Sequence, residues 1–361
     1  MRLDRLEFWF QLIERQRMNE PSKSGQPVTP ERIMQMVWGF APPLMIHAAL
    51  QNGLIDELSR GPKTIGELTA KCGVSQRGAT AVIEGLVGLG LIVRDGDRFS
   101  LSPDTAAFLV AGKPGYLGGL LRHLLGLMEQ NWVKLPEVVK SGKPPASVNE
   151  QKEGTEFFSD FVEDLFHMNY PAAKALAETL AASGSPAKSG AIRVLDLAAG
   201  SGVWGIGAAH VFPNAQITAL DWPGVTQVTR KVAAKNNVGD RLRTIDGDIQ
   251  KTEFGGPYDL ITLGHILHSE GEAASRKLLK KVFAALKPGG KVAIAEFVVN
   301  DDRNGPPLGL IFAVNMLLHT ESGSTFSFGQ MTAWLTEIGF VSPQQIPVPG
   351  PSPILVATKP G

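Results

Sequence analysis

Three carboxylates stand at regular positions in the second half of the sequence: Asp196 in "VLDLAAGSGVWGI", Asp221 in "ITALDWPG" and Asp248 in "IDGDIQ". Between the first two lie Gly200, Gly202 and Gly205 in a G-x-G-x-x-G spacing. Such glycines let a backbone turn approach a nucleotide-like ligand at a helix N-terminus, which fits a dinucleotide or another adenosyl compound equally well. The carboxylates separate the two. An acidic residue at Asp221 suits the ribose hydroxyls of either ligand. Asp196, beside the turn, would repel a pyrophosphate but would welcome a ligand carrying ammonium and sulfonium charges. Asp248 offers an acceptor for the exocyclic amine of adenine. Farther on, "GHILHSEGE" holds His268. A histidine, with an ordinary pKa near ~6.5, can serve as a general base near neutral pH.

Side chains so far apart in sequence need a sheet to bring them together. The apolar runs "IRVLDLA", "AQITALD", "LRTIDGD", "YDLITLG", "GKVAIAEFVV" and "PILVATKP" alternate with helical patterns, which predicts an α/β fold with a doubly wound, Rossmann-like sheet and right-handed crossovers. Ligands of such sheets sit beyond the carboxyl ends of the strands. Asp196, Asp221, Asp248 and His268 all fall at or near such ends.

Upstream, "KTIGELTAKCGVSQRGATAVIEGLVGLGLIVRDGDRFSLSPD" reads as helix, turn at Gly73, helix, and two strands around Asp95-Gly96. This is a winged helix-turn-helix pattern. Pro42 and Pro43 mark a break in the helical stretch before it. The competing reading is a transcriptional regulator. Between Ser75 and Leu89 the only basic residue is Arg77, opposed by Glu84, so the second helix suits packing or dimerisation better than a nucleic-acid groove. Lys plus Arg equals Asp plus Glu, at 35 each, and no net charge draws the chain to nucleic acid or an anionic membrane. Cys72 is the single cysteine, which excludes an internal disulfide framework and suits a reducing, cytoplasmic setting. The apolar run in the N-terminal "LEFWFQLIERQR" is too short for a span or signal core.

Four segments follow: an N-terminal helix and loop over 1–30, a mostly α winged-helix dimerisation domain over 31–111, a helical linker over 112–184 and the ligand-binding domain over 185–361. The linker is rich in aromatic and Met side chains, among them Trp132, Phe166 and Met168. These are candidates to line a cavity for a flat substrate.

At these residues the sequence resembles the class I S-adenosylmethionine-dependent methyltransferases, and within them the O-methyltransferase family of plant caffeate and hydroxyindole enzymes and bacterial polyketide-tailoring enzymes. "LDWPGV", "GDI", "HILHSEGE" and "LKPGGKVAIAEFVV" resemble that family's segments in order. The resemblance runs from about residue 35 to the C-terminus and implies S-adenosyl-L-methionine as cofactor, a small, aromatic hydroxyl compound of secondary metabolism as acceptor, and a homodimer. It implies that Gly200 and Gly202 approach the cofactor, Asp196 helps hold its methionyl end, Asp221 takes the ribose, Asp248 and Ile249 bracket the adenine, and Trp222 walls it. His268 is implied as the general base and Glu296 as the residue that orients it. A second orienting glutamate is missing, with Thr325 near its place, and Ser269 stands where the family has Asp. The segment "NMLLHTESG" is similar to one that lines the family's substrate pocket, so Phe312, Met316 and His319 are expected there, with His265 one helical turn before His268. His265, His319 and a carboxylate would alternatively suit a metal-assisted C-methyltransferase. A repurposed relative that binds the cofactor without methylating is a further alternative. The expectation taken is O-methylation with no metal.

Overall fold

The computed structural model describes residues 28–150, 155, 157–158, 161–184, 191–350 and 352–361. The expected N-terminal helix and most of the connection near residue 185 lie outside the described residues. The chain divides into two compact units, Met1–Gly126 and Leu127–Gly361, the division falling within the stretch 112–184.

In the first unit α1 (Glu31–Val37) runs through a 3-10 turn at Trp38–Phe40 into α2 (Ala41–Gln51). Pro42 and Pro43 sit in the first turn of α2, where a missing N–H breaks no helical bond. Then come α3 (Leu54–Leu58), α4 (Ile65–Cys72) and α5 (Gln76–Gly88), the antiparallel hairpin of β1 (Ile92–Asp95) and β2 (Arg98–Leu101), α6 (Pro103–Phe108) and, crossing the division, α7 (Gly118–Gln130). Local chemistry sets the helix starts. Thr64 and Glu67 form a reciprocal capping box on α4, and Ser75 accepts from Gly78 N–H to cap α5.

The small apolar helix α5 was expected to serve packing or dimerisation, and Ile83 and Leu86 pack into the unit's own core with Ala49, Leu54, Ile92 and Phe99, with Ala79 buried as well. Outward apolar surface lies instead on α1 and the turn after it. Ile33, Met34, Met36, Val37, Trp38 and Phe40 are all exposed, Trp38 at 60%, and the Trp38 and Phe40 rings stack 5.9 Å apart. The whole stretch Glu31–Gln51 is long and apolar enough to cross a membrane by length and composition.

The second unit opens with α8 (Leu135–Ser141) and α9 (Val162–Ala182) and continues as a mixed seven-stranded sheet. Its strands are β3 (Arg193–Leu197), β4 (Gln216–Asp221), β5 (Leu242–Asp246), β6 (Tyr258–Gly264) and β7 (Leu286–Ala295), all parallel. β8 (Val298–Val299) and β9 (Phe326–Ser327) form a small separate pair; β10 (Val341–Ile346) and β11 (Ile354–Thr358) complete the large sheet antiparallel beside β7. The spatial order is β10-β11-β7-β6-β3-β4-β5. Connecting helices are α10 (Val203–Val211), α11 (Pro223–Lys235), α12 (Leu267–Ala285), α13 (Pro307–His319) and α14 (Phe328–Ile338).

Strand alternation divides the core into two layers. Val194 packs on one face with Ile206, Phe212, Ile217 and the α9 residues Ala173, Leu176 and Leu180. Leu195 and Leu197 pack on the other with Leu278, Leu279, Val282 and the α14 residues Met331 and Leu335. Phe166 belongs to the first layer. It was expected in the substrate pocket, yet it falls on the buried stripe of α9 with Ala173, Leu176, Ala177 and Leu180 and stacks on Tyr170. Helical spacing puts it in the core.

Candidate active site

The glycine turn between β3 and α10 is held from both sides of Gly200. Its N–H donates to Asp221 Oδ2 at 2.8 Å, and its carbonyl accepts from Thr229 Oγ1 at 2.6 Å. Gly202 takes a left-handed φ of 76° and caps α10, and a Cβ on it would stand 2.8 Å from the Thr229 methyl. Gly205 is needed for a different reason, since a Cβ there would stand 2.6 Å from the Ile217 side chain of the neighbouring strand. The three glycines thus divide their work between turn and helix packing.

Asp196 lies on the β3 face that meets α10. Its side chain is fully buried, with Oδ2 accepting from Gly205 N–H at 2.9 Å and Oδ1 from the Thr262 hydroxyl at 2.7 Å. It was expected to face a ligand's methionyl end, but a carboxylate with no exposed surface has no direct bond to offer. Alternation along the strand put it on the inner face. Asp221 ends β4 and is half-buried, Oδ1 accepting from Trp222 N–H at 2.7 Å. Each of its oxygens retains a second lone pair for a ligand hydroxyl. Burial raises Asp196 to about 7 and Asp221 to about 6, against the hydrogen bonds that pull both down.

Trp222 is the N-cap residue of α11, half-buried, its ring 6.3 Å from that of Phe158. Asp248 follows β5, its Oδ1 accepting from Gln250 N–H at 2.8 Å while Oδ2 pairs with Lys251 at 3.1 Å. Ile249 beside it is buried.

His268 stands in the first turn of α12, buried, with Nδ1 2.6 Å from Glu296 Oε2. The other oxygen of Glu296 accepts the backbone N–H of Leu267 at 2.7 Å and of His268 at 3.3 Å. A carboxylate only accepts, so Nδ1 carries a proton, and in the neutral ring Nε2 is the atom with the free lone pair. Burial alone would raise Glu296, but the charge and hydrogen bond of His268 outweigh it and hold the carboxyl below its ordinary range. Phe312 meets the His268 ring edge-on at 4.9 Å, and Phe297 lies 6.0 Å from it and 4.1 Å from Phe312. Two phenyl rings wall the imidazole. Thr325 is buried with Oγ1 unpartnered, so among the described residues Glu296 is the carboxylate that orients His268.

His265 is not on the helix with His268. It occupies the turn before α12 with a left-handed φ of 60°, its N–H donating to Ala295 O at 2.9 Å and Nε2 meeting Ser352 Oγ at 2.7 Å. Burial lowers its pKa to about 4, so the ring is neutral. Met316 and His319 end α13, both buried. His319 Nδ1 donates to Asn315 O at 2.8 Å, which leaves Nε2 to accept from Asn131 Nδ2 at 2.8 Å. Both nitrogens are spent on protein, and burial lowers this pKa as well. Trp132, in a 3-10 turn, and Met168, on α9, are half-buried. Among the described residues no group of three or more His, Cys, Asp or Glu is placed to hold a metal ion.

A family model described as an O-methyltransferase domain matches residues 132–341. The chain belongs to the O-methyltransferase family. It is 28% identical to a 3-hydroxy-5-methyl-1-naphthoate 3-O-methyltransferase of Streptomyces sahachiroi, over 88% of this chain and 92% of that one. To the acetylserotonin O-methyltransferase of Mus musculus it is 28% identical, over 79% and 77%. A solved protein of Nostoc punctiforme PCC 73102 superposes with a TM-score of 0.84 at 27% identity, covering 92% of this chain and 100% of that one. Human N-acetylserotonin methyltransferase, solved with its S-adenosylmethionine, superposes at 0.78 and 20% identity, over 94% and 100%, and shares the fold.

This O-methyltransferase uses S-adenosylmethionine, and the glycine turn with the lone pairs of Asp221 fits an adenosyl group. Sequence reading missed Thr229, Thr262, Phe297 and Asn131. Phe297 follows Glu296 directly and was within reach of the motif. Thr229 and Thr262 carry no local signal, being ordinary residues of a helix and a strand until the sheet assembles.

Proposed function

We propose that the enzyme transfers a methyl group to the hydroxyl of a small aromatic molecule, with His268 as the general base and Glu296 as the residue that positions it. The observation that carries this reading is the buried Nδ1 to Oε2 bond of 2.6 Å, which leaves Nε2 as the basic atom of a ring walled by Phe297 and Phe312. Two relatives named above act on a hydroxynaphthoate and on acetylserotonin, both flat and aromatic, which suits phenyl walls. S-adenosylmethionine supplies, when bound, a methyl on a sulfonium, so the donor is already activated. The protein's task is alignment and deprotonation. His268 Nε2 would take the proton of an acceptor hydroxyl, leaving its oxygen free to receive the methyl that a bound S-adenosylmethionine would supply. Glu296 stabilises the imidazolium and fixes the ring.

For the cofactor, the backbone at Gly200 and Gly202 gives close approach, Asp221 takes the ribose hydroxyls, Asp248 and Ile249 take the adenine, and Trp222 forms a wall. Asp196 acts by shaping the turn through Gly205. Met168, Trp132, His265, Phe312, Met316 and His319 serve the acceptor pocket, the pKa of the last lowered by burial against its hydrogen bond to Asn315. We further propose a cytoplasmic homodimer built through the first unit, with Trp38 and Phe40 at its centre. That much contiguous exposed apolar surface calls for a covering partner.

Incubation with methyl-labelled S-adenosylmethionine and a library of phenols, naphthols and hydroxyindoles tests the activity. The expected result is label on an aromatic oxygen, dependent on His268. Label appearing on carbon only would overturn the reading.

A further inference from the structure

The turn after β5, which carries Asp248 and Ile249, has little of its own to hold it. The Asp248 carbonyl accepts from Lys251 and Thr252 N–H, and its side chain accepts from Gln250 N–H. Lys251 pairs with the other carboxylate oxygen at 3.1 Å, Gly247 N–H donates to Asp221 O at 2.9 Å, and further hydrogen bonds come from α12. Lys281 Nζ donates to the carbonyls of Ile249 at 2.7 Å, Gln250 at 3.1 Å and Thr252 at 2.9 Å. All three donors of one ammonium are thus spent on one turn, with the charge 4.3 Å over the ring of Phe254.

Nearer the start of α12, just before its non-helical bend at Gly271, Glu270 Oε2 accepts from Gln250 Nε2 at 2.6 Å, and Ala274 O, just after the bend, from the same nitrogen at 3.3 Å. Both groups are acceptors, so the Gln250 amide must turn its nitrogen to them. Its Oε1 is left buried and unpartnered. Asn149 Nδ2 in turn donates to the other oxygen of Glu270 at 3.2 Å. The turn is therefore gripped through its backbone by Lys281 and through Gln250 by Glu270, at the expense of an unmet acceptor.

We propose that Lys281 and Glu270 are positioning residues for adenine recognition, holding the 248–252 turn in the one shape that presents Asp248 to the exocyclic amine. This rests on the assignment of Asp248 and Ile249 to the adenine. His268 and Glu270 precede the non-helical bend at Gly271 and Lys281 follows it, so the turn is gripped from both sides of that bend.

The test is calorimetric binding of S-adenosylhomocysteine and of its inosine analogue, in which an oxo group replaces the exocyclic amine, to the full-length wild type, Lys281→Met and Glu270→Ala. Wild type should prefer the adenosyl ligand by at least about tenfold, the span of one charged hydrogen bond. In each variant that preference should collapse to about threefold or less, with inosyl binding changed less than about threefold. Circular dichroism checks that each variant is folded. If Lys281→Met does not fold, Lys281→Arg carries the same test, since a planar guanidinium keeps the charge but cannot reach three converging carbonyls. Equal weakening of both ligands, or no change in either, would overturn the positioning role. A wild type that does not distinguish the two ligands would instead sink the adenine assignment itself, and the proposal with it.

Discussion

Glu296 binds His268 twice, through the ring at 2.6 Å and through the backbone N–H at 3.3 Å, so one carboxylate fixes both the imidazole and the helix turn it stands on. The residues are 28 apart in sequence. Orientation of the base therefore depends on β7 and α12 lying side by side.

His268→Ala should lower kcat by about 10²–10⁴ while leaving the Kd for S-adenosylhomocysteine unchanged within a factor of about two, because the proposed base acts on the acceptor and not on the cofactor. Glu296→Gln should cost less, since the base remains. The double variant should cost little more than His268→Ala alone, as for residues acting as a unit. Steady-state kinetics with calorimetry decides this, and full activity of His268→Ala at neutral pH would remove the general base.

With the proposed ribose contact, Asp221 should make cofactor affinity pH-dependent. Burial sets its pKa at about 6, and the protonated form loses an acceptor for the ribose and weakens its hold on Gly200 N–H. Affinity should fall between about pH 7.5 and about pH 5.5. Asp221→Ala should weaken binding by ~1.5–3 kcal/mol for each hydrogen bond lost, and its Kd should be flat over the same range. A Kd series on both proteins checks the slope.

His265 should contribute to acid sensitivity of the fold. With a folded pKa of about 4 against an ordinary value near ~6.5, the unfolded chain holds more protons in the window between, so stability drops as pH falls from the upper value to the lower. The contribution at stake is about 3 kcal/mol, fully present above the upper value. His265→Asn tolerates the left-handed backbone and removes the titration. Its denaturant midpoint should change less between about pH 7 and about pH 5 than that of the wild type.

Trp38→Asp with Phe40→Asp places two charges on the exposed apolar face of the first unit. Light scattering at micromolar concentration should then give a monomer where the wild type gives a dimer, with methyl-donor binding retained. A monomeric wild type would refute the interface.

Local pattern made much of this protein legible before folding. The six strand-like runs, the glycine turn, the carboxylates at strand ends and the histidine after the fourth parallel strand all follow from period-two alternation and turn chemistry, which act over a few residues. β10 escaped notice because Val341–Ile346 is a mostly exposed edge strand with Pro343 inside it and an irregular register at Ser342, so it lacks an apolar alternation. What tertiary structure decided was direction. Asp196 and Asp221 look alike in sequence, yet one is sealed between β3 and α10 while the other ends its strand half-buried. Phe166 looked available to a ligand and was claimed by the sheet. His265 was counted a helical turn from His268 and instead sits in a left-handed bend. The partners that give His268, His319 and the turn at 248–252 their geometry are Glu296, Asn131 and Lys281, tens of residues away or more. Residue type and spacing determine which groups a chain possesses, but a side chain's face, burial and partner are set only when distant elements pack, since those contacts form across the fold and leave no mark in the local pattern.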